Sequence, residues 1–280
     1  MKTRSFAGLE LTRPLVMGII NVTPDSFSDG GDAFRFEDAI ARGHELIEQG
    51  AVILDIGGES TRPGADPVSE DEEIARVVPV ISALKDTGVT ISIDTRHASV
   101  MGAAIAAGAT IVNDVTALTG DARSLDVVAD MGVSLVLMHM QGTPEDMQRN
   151  PHYDDVVGEV LSHLETQVTA CVERGVPRSE IAVDPGIGFG KTIDHNLELL
   201  NSLGAFRALE CPLVLGVSRK SMISRLSRDE PPKGRVAGSI AAALAGIARG
   251  ADIIRVHDVA ETCQAIAVWQ AIENAEMHSG

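Results

Sequence analysis

Polar or ionisable side chains stand at the ends of eight short apolar runs in this 280-residue chain. They are carboxylates, amides, a hydroxyl, imidazoles and cations: Asn21, Asp55, Asp94, Asn113, His139, Asp184, Ser218 with Arg219 and Lys220, and Arg255 with His257. Such groups are costly when left unpaired in an apolar interior. We therefore expect them to collect at one edge of a sheet, where carboxylates and amides can bind hydrogen-bond donors and the cations can bind an anion.

Some of these residues also have a purely structural interpretation. Asp55 and His139 could equally well cap helices or hold loops, and both interpretations stay open at this point. For Asp94, Asp184 and Lys220 we favour a role in binding or chemistry. The same holds for Arg255, because it and His257 are two residues apart and leave an extended strand on the same face.

The apolar runs have the pattern of buried parallel strands, because they are almost continuous rather than alternating. They are residues 15–20, 52–56, 91–93, 111–112, 134–138, 181–183, 213–217 and 253–256. Amphipathic helical segments alternate with them, including residues 37–49, 72–86, 100–107, 154–174 and 236–249. This alternation predicts an α/β protein.

Six of the helical patterns end in a glycine that is followed at once by Ala or Val and then by a strand. These glycines are Gly50, Gly88, Gly108, Gly132, Gly175 and Gly250. A glycine just past a helix readily adopts the left-handed conformation that ends it. About eight βα units in ~250 residues predict a (β/α)8 TIM barrel, with one domain over residues 1–280 and an N-terminal extension of residues 1–14. Residues 2–13 could close the barrel floor. An open doubly wound sheet is the alternative, disfavoured because no GxGxxG follows the first strand.

Composition limits the kinds of binding partner and the cellular compartment that we expect for this protein. The formal net charge of −17 disfavours nucleic acid and anionic membranes, which would be repelled at long range. No signal-peptide pattern or run of membrane-spanning length is present. Cys171, Cys211 and Cys263 lack CxxC or CxxH spacing, so we expect reduced packing residues. We therefore expect a soluble cytoplasmic protein that binds any anion through a local group of cations.

Several strand ends extend into longer motifs: NVTPDSFSDGG at 21–31, DIGGESTRPG at 55–64, MHMQGTP at 138–144, DPGIGFGK at 184–191, SRKS at 218–221 and RVHD at 255–258. From about Met17 to Thr262, in motif order, the chain closely resembles the dihydropteroate synthase family of pterin-binding barrels. Enzymes of this family are transferases of folate biosynthesis. They join 6-hydroxymethyl-7,8-dihydropterin pyrophosphate to p-aminobenzoate and release 7,8-dihydropteroate and pyrophosphate.

The resemblance implies a role for each matched residue. The implied pterin-binding residues are Asp94, Asn113, Asp184, Phe189, Gly216, Lys220 and Arg255. The implied p-aminobenzoate site comprises Phe27, Thr61, Arg62, Pro63, Lys220 and Ser221. The implied pyrophosphate-binding residues are Asn21, Arg62, Arg255 and His257, with Asn21 as the ligand of a Mg²⁺ cofactor. The residues expected to act in catalysis are Asp94, Lys220, Arg255, His257, Asp29 and Arg62.

The residue types suit an SN1-like, Mg-dependent reaction. A pterin edge with amino and ring N–H groups needs a carboxylate acceptor, and a planar guanidinium can both stack on the pterin and bind phosphate. Charge on the departing pyrophosphate would be stabilised by cations, while Asp94 helps to stabilise the cationic pterin and Asp29 the closed state of the mobile loops. Sulfonamides, which mimic p-aminobenzoate, should compete at its site. The family resemblance also implies a homodimer, and the small residues at 237–243 would permit close helix packing there or against the barrel.

Three other functions compete with this interpretation. Lys220 could be the Schiff-base lysine of an aldolase-type barrel, the pterin-binding residues could serve a methyltransferase, or the protein could bind pterin without catalysis. The glycine-rich residues 186–192 lack the spacing of a nucleotide-binding loop. We interpret these glycines as allowing the backbone to approach the pterin closely. Arg96 and His97 depart from the family pattern, which leaves open whether Arg96 adds to the anion-binding field.

Overall fold

The computed structural model describes residues 4–23, 32–60, 68–144 and 146–275, with no side chains described for 32–35. A short antiparallel hairpin comes first, formed by β1 (Ser5–Phe6) and β2 (Leu9–Glu10). Eight strands follow: β3 (Leu15–Asn21), β4 (Ile53–Gly57), β5 (Thr90–Asp94), β6 (Ile111–Asp114), β7 (Ser134–Met138), β8 (Ile181–Asp184), β9 (Val214–Leu215) and β10 (Ile253–Val256).

These eight strands form one parallel barrel. Consecutive strands from β3 to β8 pair in parallel, and β10 pairs in parallel with both β3 and β9. A parallel bridge between Val183 and Leu213 joins β8 to β9 and closes the ring. The predicted (β/α)8 barrel is confirmed, so the carboxyl ends of all eight strands meet at one rim.

Helices cover the outside of the barrel. They are α1 (Asp32–Glu48), α2 (Glu70–Leu84), α3 (Ala98–Ala107), α4 (Ser124–Met131), α5 (Val156–Glu173), α6 (Ile193–Asn201), α7 (Ser221–Leu226), α8 (Val236–Ala248) and α9 (Val259–Glu273), with 3-10 helices at Arg178–Glu180, Leu203–Leu209 and Pro232–Arg235. The main apolar core lies between the strands and these helices. All six predicted helix-ending glycines have positive φ, from 65° at Gly132 to 128° at Gly108. Within the described residues, every helix is too short or too polar to cross a lipid bilayer.

The N-terminal hairpin closes the barrel floor, as predicted. Phe6 is fully buried and packs in a second apolar cluster inside the barrel. Its neighbours there include Leu15, Ile53, Ile111 and Ile253, each of which is the first residue of a strand or close to it. The hairpin therefore seals the end of the barrel opposite the polar rim.

Replacing Phe6 with Ala should lower the free energy of unfolding by about 3–5 kcal/mol, because a large buried ring is removed without a substitute. Urea unfolding of the purified protein measures the change. Leu11→Ala is the control, since Leu11 is only half-buried against the same cluster. A loss for Phe6→Ala no larger than that of Leu11→Ala would contradict the placement of the ring.

Two features of the strands differ from the predictions. The strand predicted at 213–217 is shorter, because β9 ends at Leu215 and the chain leaves the sheet at Gly216 beside the Asp184 carboxylate. Several other strands extend beyond their apolar runs, because the polar residues that follow these runs still pair with the neighbouring strand. Asp94 of β5, for example, pairs with Asn113 of β6. The predicted free state of the three cysteines is confirmed: Cys171 and Cys211 are buried and Cys263 is half-buried.

Candidate active site

An ion network centred on Arg255 joins four strands at the carboxyl rim. Its Nε donates to Asp55 Oδ2 at 2.6 Å, and its Nη2 donates to Asp94 Oδ2 at 2.5 Å. Asp55 is fully buried and also accepts hydrogen bonds from Ser92 Oγ at 2.6 Å and from Asn113 Nδ2 at 3.0 Å. Asp55 is therefore structural, because it holds Arg255 and Asn113 in place from inside the barrel.

Burial and neighbouring charges act on the pKa values of this network in opposite directions. Burial tends to lower the pKa of Arg255, but Asp55 and Asp94 reverse the effect and raise it, so the guanidinium stays charged. Burial raises the pKa of Asp94 to about 7, against the opposing charge of Arg255 and with a further rise from Asp55. The rim thus places a permanent cation next to a carboxylate whose charge depends on pH near neutrality.

Asp184 and Lys220 stand on the same rim. The Asp184 carboxylate ends β8, and its Oδ1 accepts a hydrogen bond from the Gly186 N–H at 2.7 Å. Oδ1 of Asp184 therefore holds the turn that follows β8. Its Oδ2 lies beside Gly216, and a side-chain carbon added to that glycine would be 3.6 Å from it. Burial lowers the pKa of Lys220 to about 8, with Asp184 and Asp94 opposing and Arg255 adding to the fall. These four charged groups therefore form one electrostatic site.

Phe189 forms one wall beside Lys220. The Lys220 Nζ lies 4.0 Å from the centre of the Phe189 ring. Gly188 makes room for the lysine stem, because a side-chain carbon at this glycine would be 3.1 Å from Lys220 Cδ, and its φ of 86° also favours glycine. The cation therefore rests against an aromatic face in the loop that follows β8.

His257 and Asn21 occupy neighbouring positions on the rim. The Ser218 hydroxyl lies 3.0 Å from His257 Nδ1 and accepts from the His257 backbone N–H at 3.1 Å. Arg42 Nη2 donates to the His257 carbonyl at 2.8 Å, which holds the strand end from the outside. Asn21 is the last residue of β3 and is half-buried, and Ser221 is the exposed first residue of α7.

Comparison with known proteins agrees with this arrangement. Residues 17–257 match the family model described as pterin binding enzyme. The dihydropteroate synthase of Neisseria meningitidis serogroup C is 49% identical over 267 residues, which cover 94% of this chain and 94% of that protein. The chain belongs to the dihydropteroate synthase family. The resemblance noted from the strand-end motifs is thereby confirmed.

Solved structures of dihydropteroate synthases share the fold. The Xanthomonas albilineans dihydropteroate synthase with 4-aminobenzoic acid is 48% identical, with a TM-score of 0.93 and coverage of 98% of this chain and 100% of that chain. The Yersinia pestis dihydropteroate synthase in a sulfonamide drug complex is 44% identical, with a TM-score of 0.90 and coverage of 98% and 99%. The whole barrel, and not only the motif regions, therefore follows the family.

The predicted site residues fall into two groups. Asn21, Asp94, Asn113, Asp184, Phe189, Gly216, Lys220, Ser221, Arg255 and His257 all lie at the carboxyl rim or in the loops that leave it. The remaining predicted residues are outside the part of the chain that the structure describes: Phe27, Asp29, Thr61, Arg62 and Pro63. The structure therefore describes all the predicted pterin-binding residues, every predicted pyrophosphate-binding residue except Arg62, and only Lys220 and Ser221 of the predicted p-aminobenzoate site.

The structure also answers the open question about Arg96. Its Nε and Nη2 donate to the two carboxylate oxygens of Glu59 at 2.9 and 3.0 Å. Hydrogen bonding to Glu59 raises the pKa of Arg96, against the effect of burial. Within the described site Arg96 is matched by a forked ion pair, so it serves to join the ends of β4 and β5 rather than to attract an anion.

Proposed function

We propose that this dihydropteroate synthase homologue joins 6-hydroxymethyl-7,8-dihydropterin pyrophosphate to p-aminobenzoate, forming 7,8-dihydropteroate and pyrophosphate in folate biosynthesis. The supporting observation is the shared carboxyl rim, where Arg255 binds Asp94 and where Asp184 and Lys220 follow neighbouring strands of the same barrel. Two carboxylates suit the donor edge of a pterin, and two cations suit the diphosphate carried by the same small molecule. A site of this kind binds both ends of one substrate.

Pterin recognition falls to Asp184, Asn113 and Lys220. Asn113 uses its Nδ2 to bind Asp55, so its amide oxygen is left as an acceptor for a pterin N–H. Asp184 offers Oδ2, since Oδ1 is engaged by Gly186. A ligand without the matching donors would leave these buried acceptors unpaired, which gives specificity for the pterin.

Loss of pyrophosphate comes before attack by the amine in the proposed reaction. The C–O bond at the pterin methylene breaks with its electron pair passing to pyrophosphate, and the pterin carries the positive charge. Arg255 has three N–H groups beyond the two that bind Asp55 and Asp94, and these can bind phosphate while the planar guanidinium stacks on the pterin. Asp94 stabilises the cation, and His257 donates to the leaving group.

The p-aminobenzoate nitrogen then forms the new C–N bond and loses a proton to water. An aromatic amine is neutral and nucleophilic near pH 7, so no strong general base is required of the protein. The amine enters from the side of Ser221 and the predicted residues Phe27, Thr61, Arg62 and Pro63, with Asp29 steadying the closed state. Sulfonamides compete at this position, and added p-aminobenzoate should relieve their inhibition.

Magnesium is the proposed cofactor. The described residues contain no group of three or more His, Cys, Asp or Glu that could hold a metal ion on its own. Mg²⁺ fits such a site, because it often keeps water and substrate phosphate oxygens as most of its ligands, and Asn21 would supply one amide oxygen. The ion would add positive charge at the departing pyrophosphate.

Magnesium-dependent pyrophosphate release, measured with and without p-aminobenzoate, tests the proposed function. We expect dihydropteroate and pyrophosphate in equal amounts when both substrates and Mg²⁺ are present. Tight binding of the pterin substrate without release would instead indicate a non-catalytic binding protein. Borohydride trapping of a carbonyl substrate on Lys220 would indicate an aldolase, and transfer of a methyl group would indicate a methyltransferase.

Activity should depend on pH in a bell-shaped way. Below about pH 7 Asp94 gains a proton and can no longer stabilise a cationic pterin, and above about pH 8 Lys220 loses its charge. The profile of kcat/KM measures both limbs. In Lys220→Arg the alkaline limb should move to higher pH, because a guanidinium keeps its charge, and a flat profile across both pKa values would contradict the assignment.

A homodimer in the cytoplasm is the proposed form of the enzyme. An apolar groove of about 640 Å³ lies between α6, α7 and α8. Leu197 and Leu226 line it and are 41% and 54% exposed, and Ala237 and Ala245 allow a helix of a second copy to approach closely. Light scattering should give twice the chain mass, and Leu226→Glu should give the monomer. Wild-type protein that stays monomeric at micromolar concentration would contradict the proposal.

A further inference from the structure

Lys191 is a buried cation that the proposed mechanism does not use. It directly follows the glycine-rich loop at 186–190 and is only 3% exposed. Its Nζ donates to the Phe189 carbonyl at 3.0 Å and to the His139 carbonyl at 3.4 Å, and it lies 2.9 Å from His139 Nδ1. One ammonium group therefore joins the loop after β8 to the end of β7.

The two loops joined by Lys191 are in backbone contact. At Gly186, where φ is 70°, an added side-chain carbon would lie 1.9 Å from the His139 carbonyl oxygen. At Gly190, where φ is 62°, it would lie 2.3 Å from the Gln141 carbonyl oxygen. The loop after β8 can take this path only with glycine at both positions, and Lys191 supplies polar bonds that hold it there.

His139 acts as a neutral acceptor for this lysine. Burial, together with the charges of Lys191 and His163, lowers the pKa of His139 to about 3. The His163 ring meets the His139 ring edge-on at 5.0 Å. Because the imidazole stays neutral, its Nδ1 can accept a hydrogen bond from the ammonium group of Lys191.

Lys191 also bears on the charge of Asp184. Burial raises the pKa of Asp184, while the hydrogen bond from the Gly186 N–H and the charges of Lys220, Arg255 and Lys191 lower it. Burial in turn lowers the pKa of Lys191 to about 7, with Asp184 opposing and Lys220 adding to the fall. The Tyr153 ring also faces Lys191, with its centre 6.0 Å from Nζ, and the Tyr153 hydroxyl donates to the Gly190 carbonyl at 2.9 Å.

We propose that Lys191 is a positioning residue for pterin recognition. Through the Phe189 carbonyl it holds the aromatic ring against which Lys220 rests, and from behind the loop its ammonium group adds to the positive charge around Asp184. His139 anchors the lysine from β7, which gives this buried imidazole a structural role in the site. The inference depends on the proposed function, because pterin is the ligand whose binding it explains.

Lys191→Met tests the proposal, because it keeps the apolar stem and removes both the charge and the hydrogen bonds. Calorimetric Kd for the dihydropterin pyrophosphate, without p-aminobenzoate, should rise about tenfold or more, as expected for loss of a charge-assisted hydrogen bond. The fall of pterin binding on the acid side should move to higher pH, since Asp184 is more easily protonated. The KM for p-aminobenzoate should stay unchanged.

Three further variants separate positioning from simple stability. Lys85→Met, which removes an exposed lysine after α2, should leave Kd and its pH profile as in the wild type. His139→Gln should weaken pterin binding without the acid-side shift, because Lys191 keeps its charge. Lys191→Gln keeps a donor without the charge, so it should show the shift and serves as the test if Lys191→Met does not fold.

A lower thermal midpoint with unchanged Kd and unchanged pH profile in the Lys191 variants would overturn the proposal. Wild-type protein is assayed in parallel for pyrophosphate release. If the wild type releases none, the proposed function fails. If the wild type releases pyrophosphate but the Lys191 variants bind pterin normally, only the inference about Lys191 fails.

Discussion

Replacing Asp94 with Asn is expected to lower turnover on the order of 10²-fold or more, the usual cost of removing one group that stabilises charge in a transition state. The protein should stay folded, because the amide oxygen can still accept from Arg255 Nη2. What is lost is the negative charge that we propose stabilises the cationic pterin. The measurement is single-turnover release of pyrophosphate, with the enzyme in excess over the pterin substrate.

Asp252→Asn is the matched control for Asp94→Asn. Asp252 precedes β10 at the opposite end of the barrel, where it pairs with Arg4 and accepts from the Leu213 N–H at 2.9 Å. This change should affect stability slightly and turnover not at all. Near-normal turnover in Asp94→Asn would show that the charge of this carboxylate has no part in the reaction.

Replacing Arg255 with Met should abolish measurable turnover and also lower the free energy of unfolding by about 3–5 kcal/mol, the cost of leaving a buried charge unpaired. Asp55 is 0% exposed and would lose its only cationic partner among the described residues. Asp94 would lose its partner at 2.5 Å as well. Denaturant unfolding and pyrophosphate release measure the two effects separately.

The double variant Asp55→Asn with Arg255→Met separates stability from chemistry. Removing the Asp55 charge should restore much of the lost stability, because the amide can still bind Ser92 Oγ and the carboxylate that stays unpaired, Asp94, is less deeply buried than Asp55. Turnover should stay absent, since no guanidinium is available for the pterin or the pyrophosphate. An Arg255→Met protein as stable as the wild type would contradict the ion network.

The amino-acid pattern was sufficient to predict the barrel. Strand positions depend on local apolar runs, and helix ends depend on glycines such as Gly108, whose left-handed conformation is a property of that residue alone. The position of Asp94, Asp184 and Lys220 at one rim followed from the rule that parallel strands share a carboxyl end. These features can be predicted without knowing which residues far apart in the sequence are in contact.

The structure alone decided which rim residues are partners. In the sequence, Asp55 and His139 could each have had either a structural or a functional role. The structure shows that Asp55 binds Ser92, Asn113 and Arg255, which lie 37, 58 and 200 residues away. Lys191 looked like the end of a glycine loop, and only its burial against His139 shows an anchoring cation. The role of Arg96 likewise became clear only from its ion pair with Glu59, which lies 37 residues earlier.

The sequence by itself determined the fold class, the family and the rim on which the chemistry is expected, because each depends on short-range patterns repeated along the chain. Tertiary structure decided how charges are paired, how far burial shifts the pKa values of Asp94 and Lys220, and where β9 ends. Those properties arise when closure of the barrel brings distant side chains into contact and removes water from around them.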